Sequence, residues 1–151
     1  GEAQIEKLLK AKKNGMFLLF DVDKFKHIND TYGHSIGDEV LIQVADALKQ
    51  TFEQAGVCMR LGGDEFAVYA PEITEQMQAE TMIQAFFERI RNIAIPQMEG
   101  DAISVSLGAV LCAPDREHVF EKVYQRADAT MYTCKKVIGN SYDFYIGRNP
   151  A

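Results

Sequence analysis

Arg60-Leu61-Gly62-Gly63-Asp64-Glu65-Phe66 is the segment around which the rest of the chain is arranged. Apolar runs over 57–61 and 66–70 flank it and predict the two strands of a hairpin. The glycines indicate the turn, because a two-residue turn needs positive φ angles, which glycine adopts without steric cost. Asp64 and Glu65 would then lie at a rigid tip, either as solvated turn residues or as ligands of a cation.

The composition is that of an ordinary globular domain. The chain has 151 residues, of which 47% are hydrophobic and 25% charged, so we expect residues 1–151 to form a single domain with its own core. Its net charge of -6 argues against nucleic acid or an anionic membrane surface as a partner, because both usually require a basic patch. The longest apolar run, Met16 to Phe20, is too short to span a bilayer and follows no leader sequence.

The cysteines indicate the compartment. Cys58, Cys112 and Cys134 are odd in number and lack C-x-x-C spacing, which favours buried thiols over disulfides or a zinc site. Together with the absence of a leader, this predicts a cytoplasmic domain.

The spacing of apolar residues predicts the other elements. Met16 to Phe20 is continuously apolar, as in a central strand covered on both faces, and it runs into Asp21-Val22-Asp23. Lys24 to Gly37 is rich in Asn, Asp, Thr, Gly and Ser and predicts a long loop with at most a short helical turn. The remaining predictions are helices over 4–13, from Asp38 to before Gly56, from a Thr74 cap to before Pro96 and over 119–131, with strands over 103–111 and 142–146.

This order of elements predicts an α+β fold with a ferredoxin-like or palm βαββαβ core, a central antiparallel sheet, an extra N-terminal helix and an extra C-terminal helix and strand. In that topology the first strand lies beside and antiparallel to the third, so Asp21 and Asp64 should converge. Two carboxylates held close together repel each other unless a cation lies between them, and a hard divalent ion is the usual solution.

These residues closely resemble the motifs of the GGDEF family of bacterial diguanylate cyclases, over nearly the whole chain. The matching segments, in order, are Asp21-Val22-Asp23-Lys24-Phe25-Lys26, Asn29-Asp30, Gly33-His34, Gly37-Asp38, Gly62-Gly63-Asp64-Glu65-Phe66, Ser104-Val105-Ser106-Leu107-Gly108 and 127–132 with Lys135. The resemblance implies that two GTP molecules are joined into cyclic di-GMP, with release of two pyrophosphates and with Mg²⁺ or Mn²⁺ as cofactor.

The resemblance also implies roles for individual residues. Asp21, Asp64 and the Val22 carbonyl match the metal ligands, and Asp64 is also the family's proposed proton acceptor, which leaves open whether it moves a proton or only holds the metal. Glu65 is either a carboxylate beside the metal or simply a strand residue. The implied substrate contacts are the phosphate loop Asp23, Lys24, Phe25 and Lys26, the charges of Lys26 and Lys135, the guanine-reading pair Asn29 and Asp38, and His34, which shapes the guanine loop.

The chain departs from the family pattern in three places. Glu53 and Gly56 stand where the family's inhibitory Arg and Asp are expected, so we expect no inhibitory site. Gly139 stands where a phosphate-binding arginine is expected, and Lys136 is a candidate substitute. The usual opening signature is missing, so the domain looks trimmed at its N-terminus, with any sensor or regulatory domain outside this chain.

Symmetry adds a requirement for a partner. One such site binds one GTP, so forming both bonds requires two sites facing each other in a homodimer. The alternative interpretation is a degenerate domain that binds GTP or cyclic di-GMP and regulates an attached domain without catalysis. The retained acidic residues favour the enzyme, whereas Gly139 favours the alternative.

Overall fold

The computed structural model describes residues 3, 7, 15–112 and 120–146. The elements in chain order are β1 (Gly15–Val22), α1 (Phe25–Tyr32), α2 (His34–Phe52), β2 (Val57–Gly62), β3 (Glu65–Ala70), α3 (Gln76–Arg91), a short 3-10 helix (Pro96–Met98), β4 (Val105–Cys112), α4 (Phe120–Cys134) and β5 (Ser141–Phe144). Of the predicted helix over 4–13, only Lys7 is described, and it is helical. No helix within the described ranges is both long and apolar enough to cross a membrane.

The sheet has the order β2-β3-β1-β4-β5. β1 is antiparallel to both β3 and β4, while β5 adds in parallel at the edge beside β4. This is the predicted α+β arrangement with a central antiparallel sheet, and the fold class is confirmed.

Apolar layers cover both faces of the sheet. Phe20 points toward α2 and α3. Its ring lies 5.2 Å from that of Phe66 on β3 and 4.9 Å from that of Phe86 on α3. Phe17 and Leu19 point the other way and pack with α4. Because β1 is covered on both faces, its sequence is continuously apolar until Asp21.

The loop prediction for Lys24 to Gly37 is wrong, because this segment forms α1 and the first turn of α2. Phe25, Ile28 and Tyr32 are spaced by three and four residues, and all three pack against the main core. Most of the polar residues between them are exposed, so the loop-like composition concealed an amphipathic helix.

Two details near other predicted elements also differ. The hairpin turns at Gly63-Asp64 and not at the glycine pair, because Gly62 still pairs with Glu65 after a bulge. Gly63 has a φ angle of 52°, so the turn does require a glycine there. Thr74 does not cap α3, since the residue before the helix is Glu75 and no side chain caps it.

Candidate active site

Acidic side chains from β1 and the β2–β3 hairpin meet at one end of the sheet. Asp21 lies opposite Glu65 of β3 and opposite Ser106 of β4. Paired residues of antiparallel strands project from the same face, which here is the face covered by α4. Asp64 immediately precedes Glu65, so the structure brings Asp21 and Asp64 together as the topology predicts.

The electrostatics reflect this proximity. Burial raises the pKa of Asp21 to about 6, Lys135 opposes the shift, and the carboxylates of Asp64 and Asp23 add to it. A cation at this point would relieve the repulsion between the carboxylates.

Lys135 already places a positive charge there. It follows the end of α4, and its ammonium group donates hydrogen bonds to Asp21 and, at 3.4 Å, to Asp23. Burial alone would lower its pKa, but the hydrogen bonds and charges of the two aspartates raise it. Lys135 therefore stays charged beside the acidic residues.

Asp23 connects the end of β1 to β4. Its carboxylate accepts hydrogen bonds of 2.6 Å from both Ser104 and Ser106, and its amide donates to the Ser104 carbonyl at 2.9 Å. The amide of Asp23 is thus engaged within the protein, contrary to its predicted place in a phosphate-binding loop. Sequence reasoning placed the two serines only within a strand and a family motif and did not identify this contact.

The start of α1 presents the remaining amides of the predicted phosphate loop. Lys24 has a left-handed conformation with φ 53° and ψ 36°, and the helix begins at Phe25. The first amides of a helix have no acceptor within it, so those of Phe25 and Lys26 point outward as donors. The side chains of Lys24 and Lys26 are exposed, whereas that of Phe25 packs against the core.

The predicted guanine-reading residues lie where α1 meets α2. Gly37 makes room for Asn29, because a Cβ at position 37 would be 1.8 Å from Oδ1 of Asn29. Asp38 follows on α2 and is exposed, as is His34. Asp38 also borders a groove of about 670 Å³ between α2 and β2. The two predicted readers of the base therefore lie on neighbouring helices, with Asn29 against the residue that precedes Asp38.

A second cavity, of about 620 Å³, joins the start of α1 to the segment after α4. Lys24, Lys135, Lys136 and Gly139 all line it. Gly139, which stands where the family pattern has an arginine, therefore lines the same cavity as three lysines.

Glu65 has a partner that sequence reasoning missed. The hydroxyl of Tyr124 on α4 donates a 2.6 Å hydrogen bond to Oε1 of Glu65. The apolar spacing of α4 indicates only a core position for Tyr124. The signal that could have revealed the contact is chemical, because a tyrosine that packs against the core usually finds a partner for its hydroxyl.

The donor set suits a hard divalent ion. No three His, Cys, Asp or Glu side chains converge as metal ligands in the described part of the chain. Asp21, Asp64 and the Val22 carbonyl supply only oxygen, which Mg²⁺ prefers, and Mg²⁺ commonly completes its octahedron with phosphate oxygens and water. The residues present therefore fit such an ion bound together with a nucleotide.

The sheet order and the acidic end of β1 define a palm-like α+β domain. Comparison with known sequences makes the class specific: the chain belongs to the GGDEF family, whose model "Diguanylate cyclase, GGDEF domain" matches residues 2–141. The predicted family is confirmed.

Curated relatives are longer proteins. DosC of Escherichia coli K12, named a diguanylate cyclase, is 38% identical in an alignment of 127 residues that covers 79% of this chain and 26% of DosC. YtrP of Bacillus subtilis, named an uncharacterized protein, is 30% identical over 135 residues, which are 89% of this chain and 22% of YtrP. The chain thus spans about a quarter of the length of these relatives.

Solved structures share the fold. The GGDEF domain of DgcB from Caulobacter crescentus, determined in complex with c-di-GMP, superposes with a TM-score of 0.77 at 26% identity, covering 95% of this chain and 82% of that one. The GGDEF domain of YfiN from Pseudomonas aeruginosa gives a TM-score of 0.84 at 24% identity, covering 97% and 94%, a likeness of fold alone.

Proposed function

We propose that this domain is a diguanylate cyclase that condenses two GTP molecules into cyclic di-GMP and two pyrophosphates. The observation that carries the proposal is the convergence of Asp21 and Asp64 at the end of adjacent strands, with Lys135 against Asp21. Two relatives support the proposal: DosC is named a diguanylate cyclase, and the GGDEF domain of DgcB was determined in complex with c-di-GMP.

The metal would be held by Asp21, Asp64 and the Val22 carbonyl. When bound, Mg²⁺ or Mn²⁺ supplies positive charge that lowers the pKa of the attacking ribose 3′-hydroxyl and neutralises the α-phosphate. We assign Asp64 first to metal binding, because carboxylates, with ordinary pKa values of about 4, are weak bases near neutral pH. Proton transfer to Asp64 is the second interpretation.

The other residues would bind and orient GTP. The outward amides of Phe25 and Lys26 and the charges of Lys26 and Lys135 suit the triphosphate, which the positive end of a helix also attracts. Asn29 and Asp38 suit guanine, because a carboxylate accepts hydrogen bonds from guanine N1–H and N2–H₂, which adenine does not offer. His34 would shape this corner without touching the reacting atoms.

Catalysis would require a second copy of the domain. Each site holds one GTP, and both phosphodiester bonds form only where two sites face each other about a two-fold axis. A sensor or regulatory domain attached outside this chain would control that encounter, on the cytoplasmic side where GTP is present.

The direct test incubates the domain, fused to a dimerising coiled coil, with GTP and Mg²⁺ and measures cyclic di-GMP by chromatography. We expect product from the parent protein and a loss of at least about 100-fold in Asp64→Ala, the scale expected when a catalytic metal ligand is removed. A dimeric, GTP-bound parent protein that forms no product would exclude the cyclase.

The alternative function is binding of GTP or cyclic di-GMP without turnover, for regulation of an attached domain. Gly139 in place of the phosphate-binding arginine favours it, because one positive charge is lost from the cavity that Lys135 lines. Nucleotide binding without product in the same assay would support this alternative.

A further inference from the structure

Tyr124 reaches from the apolar layer under α4 to the acidic end of the sheet. Its ring lies 6.0 Å from that of Phe120 and packs beside the second hydrophobic cluster, while its hydroxyl leaves this layer and donates to Glu65. An apolar residue would fill the same space, so packing does not account for the hydroxyl.

The contact lies directly beside the proposed metal ligands. Glu65 stands opposite Asp21 in the β1–β3 register and follows Asp64 in the chain. The negative charges of Glu65, Asp128 and Asp21 are all close enough to act on the Tyr124 hydroxyl. Tyr124 thus belongs to the same polar cluster as the ligands.

The hydrogen bond is of a strong type and persists at neutral pH. A hydroxyl donating to a carboxylate at 2.6 Å makes a short, charge-assisted bond. Burial, with the hydrogen bond and charge of Glu65, raises the pKa of Tyr124, so the hydroxyl remains a donor. One oxygen of Glu65 is therefore fixed against α4.

We propose that Tyr124 is a positioning residue of the metal site, whose hydroxyl anchors Glu65 beside Asp21 so that this carboxylate supports the cation held by Asp21 and Asp64. The inference rests on the proposed function, because it assumes a divalent ion at these ligands. Groups that hold carboxylates around a metal in this way typically change metal affinity or activity by about 10- to 100-fold when removed.

The test measures Mn²⁺ affinity without turnover, from the electron paramagnetic resonance signal of free Mn²⁺ in the presence of a non-hydrolysable GTP analogue. Tyr124→Phe removes only the hydroxyl, and we expect Mn²⁺ binding to weaken about tenfold. Tyr145→Phe, which removes a hydroxyl from an exposed tyrosine beyond β5, is the matched control and should leave the affinity unchanged.

A double-mutant cycle separates positioning from general loosening of the fold. In a Glu65→Ala background, Tyr124→Phe should have no further effect on Mn²⁺ affinity, because its partner is already gone. Thermal unfolding of each variant verifies that affinities are measured on folded protein.

The inference is overturned if Tyr124→Phe binds Mn²⁺ as tightly as the parent, if its loss persists in the Glu65→Ala background, or if the parent binds no Mn²⁺ with the analogue. A Tyr124-dependent Mn²⁺ site in a protein that makes no cyclic di-GMP would refute the cyclase and leave the role of Tyr124 standing.

Discussion

The two ends of the proposed GTP site are built differently. At the acidic end, side chains are already joined to one another: Lys135 to Asp21, Ser104 and Ser106 to Asp23, and Tyr124 to Glu65. At the corner between α1 and α2, which we call the base corner, His34 and Asp38 are exposed and Asn29 is half-buried.

This difference indicates that folding alone assembles the acidic end, whereas in the proposed function GTP would complete the base corner. Substitutions at the acidic end should therefore change the free energy of unfolding, and those at the base corner should change selectivity while leaving stability nearly intact. Substitutions at Asp23, Asp38, Gly37 and Gly139 test this contrast.

The largest effect on stability is expected for Asp23→Ala. The change leaves the hydroxyl of Ser106, a residue with no exposed surface, without its acceptor, and such a loss costs about 3 kcal/mol. We expect the melting temperature to fall by roughly 10 °C, which calorimetry or circular dichroism measures. Asp38→Ala is the matched control and should stay within about 0.5 kcal/mol of the parent. Equal stability losses in the two variants would remove the contrast.

The next largest effect is expected for Asp38→Ala, and it concerns nucleotide binding. Loss of a charged acceptor for guanine should weaken GTP binding about 10- to 100-fold, because hydrogen bonds to charged groups contribute about 1.5–3 kcal/mol. ATP binding should change much less, since adenine offers no N1–H or N2–H₂ to this carboxylate. Titration calorimetry with both nucleotides provides the measurement. Parallel losses for GTP and ATP would reject Asp38 as the reader of the base.

Gly37→Ala should weaken GTP binding without lowering the stability of the fold. A Cβ there would lie 1.8 Å from Oδ1 of Asn29, so the asparagine side chain must rotate away, and one contact with guanine is lost. We expect GTP binding to weaken by up to about tenfold, from loss of a hydrogen bond of about 1 kcal/mol. Stability should hold or rise slightly, because alanine favours the helix by about 1 kcal/mol over glycine.

Asn29→Ala provides the control for this interpretation. If Gly37→Ala acts by displacing Asn29, then adding it to Asn29→Ala should weaken GTP binding no further. A full additional loss in the double variant would mean that position 37 acts by another route.

The sequence predicts those parts of the site that depend only on the order of the strands and on which residues end them. Asp21 and Asp64 converge because the strand order follows from the sequence of elements and each acid lies at a strand end. The contacts of Ser104, Ser106 and Tyr124 are not predictable in this way, because they depend on strand register and on the packing of α4, which apolar periodicity does not determine.

The same limit explains the error over α1. Its polar composition predicted a loop although Phe25, Ile28 and Tyr32 have helical spacing. Three apolar residues at this spacing stabilise a helix only where they contact a core, and the sequence does not show that contact. Tertiary packing thus determined the structure of the segment that carries Asn29.

Gly139→Arg restores the arginine that the family pattern has at this position, at the edge of the acidic end. Position 139 is exposed and lines the cavity shared by Lys24 and Lys135, and a Cβ added there would have no neighbouring atom within 4 Å. An arginine there should tighten GTP binding about threefold, the scale of an exposed charge pair worth about 0.6 kcal/mol.

The same substitution should destabilise the fold through backbone strain. Gly139 has a φ angle of 88°, which side chains rarely adopt, so any residue there should destabilise the fold by about 1 kcal/mol. Gly139→Ala carries the same strain without the charge, and it should show the loss in melting temperature but no gain in GTP affinity. Tighter binding in both variants would trace the gain to a stiffer loop. Tighter binding in the arginine variant alone would mean that the acidic end still lacks a positive charge for the triphosphate. Its side chains are already hydrogen-bonded to one another, but these contacts do not supply that charge.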